Sequence, residues 1–111
     1  MLYNTVLKIH FDAVPSEPER PVVSDVKEYS LVLSWNPPLE YNNRISHYRI
    51  MYRIGIRNIY DKEITVSNRP THRVTDLLPG RAYQFIVAGI NEIGIGAFSK
   101  PSKQQYTQPA G

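Results

Sequence analysis

The chain has 111 residues, 41% of them hydrophobic and 21% charged, with 13 Lys and Arg against 10 Asp and Glu, a net charge of +3 and a pI near 9.3. This is the size and balance of one globular domain, and the mild basicity lacks the concentrated stripe that nucleic-acid binding requires. With no cysteine there is no disulfide and no cysteine-based zinc site, and no apolar run is long enough to insert directly into a membrane.

In residues 1–14, Leu7, Ile9 and Phe11 alternate with Lys8, His10 and Asp12. That period of two reads as an orphan strand or linker from a preceding domain. The same residues lack the uninterrupted apolar core of a signal peptide, so a secreted parent would carry its signal upstream of this chain. Pro15-Ser16-Glu17-Pro18-Glu19-Arg20 follows as a Pro-rich linker over 15–20, held extended by residues that lack or restrict backbone freedom. Pro21 suits the start of an edge strand. The folded domain is expected over 21–109, with a short tail at 110–111.

Within that domain, Leu31, Leu33 and Trp35 alternate with Val32 and Ser34. Tyr48, Ile50 and Tyr52 alternate with Arg49, Met51 and Arg53. Short runs at Glu63–Val66 and around Val74 and Leu77 come next. Tyr83, Phe85 and Val87 then alternate with Gln84, Ile86 and Ala88, and Ser99 to Thr107 closes the series. Turn signals separate the runs at Asn36-Pro37-Pro38, Asn42-Asn43, Asn68-Arg69-Pro70, Pro79-Gly80 and Asn91 to Gly96. Short strands at this spacing, without an amphipathic helix, predict an all-β sandwich. Its core is expected to hold Leu31, Leu33, Trp35, Tyr48, Ile50, Tyr52, Val74, Leu77, Tyr83, Phe85 and Val87, with Trp35 at the centre as the largest apolar side chain.

Four segments carry a resemblance to a known family. They are Ser34-Trp35-Asn36-Pro37-Pro38, Tyr48-Arg49-Ile50-Met51-Tyr52, Leu77-Leu78-Pro79-Gly80-Arg81-Ala82-Tyr83, and Asn91-Glu92-Ile93-Gly94-Ile95-Gly96-Ala97-Phe98-Ser99. In this order and spacing they resemble a fibronectin type III domain over nearly its whole length. The resemblance implies an immunoglobulin-like β-sandwich of seven strands in two antiparallel sheets, three plus four. It also implies non-enzymatic work in adhesion, spacing or docking. Tyr83 is expected to bond back to the backbone of the crossing marked by Pro79-Gly80, the tyrosine corner of such sandwiches. The loop at 91–96 lacks Arg-Gly-Asp, so integrin recognition of that type does not carry over. The paired cysteines and Trp-Ser-x-Trp-Ser motif of the related cytokine-receptor sandwich are also missing.

The sequence offers no catalytic constellation, cofactor motif or metal set. His10, His47 and His72 have no metal-ligand spacing, and His72 is expected to face inward near the rim. No serine lies in a nucleophile elbow, and Gly94-x-Gly96 lacks the third glycine and the helix of a dinucleotide site. One outward surface stands out. Arg49, Met51 and Arg53, with Ile86 and Ile90 on the neighbouring strand, are expected to form a basic and partly apolar face. An alternative partner loop is Asn91, Glu92, Ile93, Gly94, Ile95 and Gly96. The implied partners are other protein domains, in cis or in trans, with an acidic protein surface or a sulfated glycan suited to the arginines. The parent is expected to be a cell-surface adhesion or receptor protein. An intracellular cytoskeletal or muscle scaffold is the alternative, as is a protein in which this domain accompanies a separate catalytic one.

Overall fold

Leu31 and Leu33 share one face of an early strand, and Tyr48 and Ile50 share one face of the next. Two such faces leave water together only by packing on each other. The computed structural model, which describes residues 13–38, 44–55 and 59–111, has that arrangement. The orphan-strand pattern up to residue 12 and the turn at Asn42-Asn43 lie outside the described residues.

Among the described residues there are seven strands and no helix: β1 (Val22–Ser24), β2 (Leu31–Ser34), β3 (His47–Ile54), β4 (Lys62–Val66), β5 (Thr71–Val74), β6 (Ala82–Ile90) and β7 (Gln105–Tyr106). They form a three-stranded sheet in the order β1-β2-β5 and a four-stranded sheet in the order β4-β3-β6-β7. Every pairing is antiparallel. The longest ladder joins β3 to β6, with Ile50 opposite Val87 and Tyr52 opposite Phe85.

The core lies between the sheets. Leu31, Leu33, Ile50, Val74, Phe85 and Val87 are fully buried, and Trp35, Tyr48, Leu77 and Tyr83 nearly so. Trp35 sits just past β2, where its backbone N–H donates to the Pro70 carbonyl at 3.0 Å. Its ring meets that of Tyr48 edge-on, with centroids 5.1 Å apart. Burial pushes the Tyr48 phenol above its ordinary pKa, against a smaller opposing pull from the Trp35 indole. That pull falls short of a formed bond, and among the described residues Trp35 Nε1 is buried without a hydrogen-bond partner. Tyr52 is half-buried at the rim, its ring 5.4 Å from that of Phe85 and 5.9 Å from that of Tyr83. His72 stands opposite Leu33, half-buried, and burial lowers its pKa below the usual imidazole value.

The structure departs from the sequence pattern in three places. The last run, expected as a strand from Ser99 to Thr107, is regular only at Gln105–Tyr106. Its earlier part still follows β6, through the Ser99 and Ser102 amides bonded to the Val87 and Phe85 carbonyls at 2.8 Å. In the reverse direction, the serine hydroxyls accept the Val87 and Phe85 amides at 3.0 Å. Side chains thus replace the backbone carbonyls of an ordinary ladder beside Pro101, which has no N–H to give. Ala88 points outward by alternation but is fully buried, a small side chain directly opposite Arg49 on the most enclosed strand. The segment 15–20, which reads as a linker, is packed on the sandwich: Pro15 and Pro18 are buried, as is Pro21.

Candidate interaction site

Because β3 alternates, Arg49, Met51 and Arg53 lie on the face opposite the core. Register sets Arg49 beside Ala88, Met51 beside Ile86 and Arg53 beside Gln84 on β6, while Thr65 and Glu63 of β4 flank Arg49 and Met51. The structure therefore brings Arg49, Met51, Arg53 and Ile86 together, all half-buried, with Ile90 at the end of the same row opposite His47.

Both arginines are already engaged. Arg49 Nε donates to Thr65 Oγ1 at 3.4 Å and lies 3.7 Å from Glu63 Oε2. Arg53 Nε donates to Gln84 Oε1 at 3.1 Å, and its guanidinium lies 5.0 Å from the Tyr60 ring centroid. Gln84 passes the connection on, its Nε2 donating to the Ser102 carbonyl at 2.9 Å. Arg53, Gln84 and the Ser102 carbonyl thus tie β3 to β6 and to the segment before β7, while Arg49 ties β3 to β4. These links were beyond sequence reasoning because they depend on register. The alternation that puts the arginines outward was visible; the partners that hold them were not.

A second constellation gathers around the loop after β6. Asn91 is buried, and its Oδ1 accepts the amides of Ile93 at 2.9 Å and Gly94 at 3.1 Å. This is the local capping to which asparagine is suited. The loop closes on itself through an Ile90–Ile95 bridge and the Gly96 amide bonded to the Gly89 carbonyl at 2.8 Å. The other end of the Asn91 amide reaches far along the chain, with Nδ2 donating to the Ala13 carbonyl at 2.8 Å. Pro15, fully buried, fills the space beside two glycines. A Cβ on Gly96 would stand 2.0 Å from the Pro15 carbonyl oxygen, and one on Gly89 would stand 2.8 Å from Ile45 Cδ1. At Gly96 the neighbour is backbone and only glycine permits the approach, whereas at Gly89 the neighbour is the tip of the Ile45 side chain. The leading segment is therefore clamped. Val14, Ile93 and Ile95 remain exposed at this pole at 40%, 53% and 38%, an apolar cap on a fixed base.

Polar groups near both ends of β6 are engaged within the fold. Ser46 Oγ donates to the Ile90 carbonyl at 3.2 Å and contacts His47 Nδ1 at 3.1 Å. At the far pole, the Leu78 amide donates to the Tyr83 hydroxyl at 2.7 Å. Thr107 Oγ1 accepts the Arg81 amide at 3.1 Å and donates to the Leu78 carbonyl at 2.6 Å.

The family model for the fibronectin type III domain matches residues 16–105. Human neogenin is 32% identical over 96 residues, covering 81% of this chain and 7% of that protein. The human netrin receptor DCC is 31% identical over 84 residues, covering 72% of this chain and 6% of that protein. Among solved structures, the titin domains A168–A170 align with a TM-score of 0.75 at 26% identity, over 86% of this chain and 32% of the titin chain. The chain thus spans under a tenth of the length of these two relatives.

Proposed function

The chain belongs to the fibronectin type III family, and from that premise we propose that it is a non-catalytic interaction and spacing module of a larger cell-surface adhesion or receptor protein. The observation that carries the reading is the clamped leading segment, with Asn91 bonded to Ala13 and Pro15 seated against Gly96. A chain fixed where it meets the sandwich transmits orientation to whatever precedes it. The apolar cap of Val14, Ile93 and Ile95 gives a preceding module in cis a surface on which to rest. The narrow share of neogenin and the netrin receptor that the chain spans supports a multidomain parent.

Small-angle scattering from a fragment of the parent containing this module and the one before it tests the reading. A single inter-module geometry is expected, broadened by Ile93→Ser with Ile95→Ser. A broad distribution already present in the unmutated fragment would overturn it.

The β3–β6 face is the surface proposed for a partner in trans, an acidic protein surface or a sulfated glycan. Arg49→Glu with Arg53→Glu should abolish capture of that partner by the intact parent while the domain stays folded. Undiminished capture removes this face and leaves the 91–96 loop. The likeness to titin domains supports an intracellular scaffold as the second reading. A signal peptide and a membrane span in the parent sequence would decide against it.

A further inference from the structure

β1 is an outer strand of the three-stranded sheet and β7 an outer strand of the four-stranded sheet. Between them lies a cleft of about 240 Å³ lined by Arg20, Pro21, Val22, Val23, Lys103 and Gln105. Its charges differ from those of the β3–β6 face. There Arg49 and Arg53 already contact Thr65, Glu63, Gln84 and Tyr60. At the cleft, neither the Arg20 nor the Lys103 side chain has a hydrogen bond or ion pair among the described residues. Glu19, the nearest acid along the chain, gives its carboxylate to the Asn36 amide. Two unpaired cations therefore border an apolar floor, and Val22 is 65% exposed there.

We propose that this cleft is a binding site for an extended peptide segment carrying an apolar side chain flanked by carboxylates. The carboxylates answer Arg20 and Lys103, and the apolar side chain covers Val22, the exposed valine of β1. The open edge of β1 offers main-chain groups to a strand lying alongside it, the usual way an extended peptide joins a sheet. A sulfated glycan would satisfy the cations but leave Val22 uncovered, so the lining favours the peptide. The attraction between exposed charges weakens as salt rises.

The test is an amide-detected NMR titration of the 111-residue chain. The probe is a blocked heptapeptide of sequence Glu-Asp-Val-Tyr-Val-Asp-Glu, run in parallel with a heparin octasaccharide. Shifts centred on Val22, Val23 and Gln105 are expected with the peptide. The affinity should drop at least tenfold in Arg20→Glu with Lys103→Glu and several-fold in Val22→Ser. All three positions border solvent at the sheet edges, and an unchanged thermal midpoint verifies that each variant is folded. Three outcomes overturn the proposal: no binding of the peptide, binding centred on another surface, or octasaccharide binding at the cleft at least as tight as the peptide's, unaffected by Val22→Ser. The last would make the cleft a simple anion patch.

Discussion

The two ends of β6 are each fastened by one polar side chain, and they differ in how far that side chain reaches. At the start of the strand, the Tyr83 hydroxyl accepts an amide five residues away, that of Leu78. Just beyond its end, Asn91 captures an oxygen 78 residues away, the carbonyl of Ala13. The first bond closes a crossing between sheets and completes the sandwich. The second joins the sandwich to the chain that leads into it. One end of the strand thus serves the module's own stability, while the other serves its connection to whatever comes before.

Substitutions at and between these ends separate the two roles. Trp35→Ala, in the core that both ends depend on, should cost about 3–5 kcal/mol, because the cavity left behind loses the Tyr48 ring contact as well as the buried surface. Urea denaturation reads this directly, and a loss under about 1 kcal/mol would contradict the packing described. Tyr83→Phe removes only a hydroxyl and leaves the Leu78 amide without its acceptor, so about 1–2 kcal/mol should be lost globally, with the leading segment still in place. Wild-type stability in that variant would mean the corner bond contributes nothing.

The smallest effect belongs to His72 and to pH. Burial lowers its folded pKa below the unfolded value of about 6.5. Between those values the unfolded chain binds more protons, so its contribution to stability is intact above about pH 6.5 and is lost as pH falls towards the folded pKa. Thermal midpoints followed through that window should decline in the wild type and decline less in His72→Gln. Equal slopes would remove His72 as the cause.

What the sequence disclosed follows from the range of the interactions concerned. The faces of β2, β3 and β6 are written as strict alternation, and Pro79-Gly80 before Tyr83 announces the corner within a few residues. Ser99 to Thr107 reads as one more strand but is regular only at Gln105–Tyr106, because Ser99 and Ser102 complete the earlier pairing with hydroxyls beside Pro101. Pro15 reads locally as linker chemistry. Its burial depends on Gly89 and Gly96, which approach it only after the sandwich has closed. The outward row of Arg49, Met51 and Arg53 was legible, but its engagement by Glu63 and Gln84 is a consequence of strand register. The cleft beside β1 joins residues 20–23 to Lys103 and Gln105, a meeting that no local pattern records.

Backbone ¹⁵N relaxation on the 111-residue chain tests the central claim, that the leading segment is a rigid part of the module. Val14 and Ser16 should show order parameters near those of β6, about 0.85, and Asn91→Ala should lower the value at Val14 without changing those of Phe85 and Val87. Values below about 0.6 at Val14 and Ser16 in the unmutated chain would contradict the claim and place the leading segment outside the rigid module.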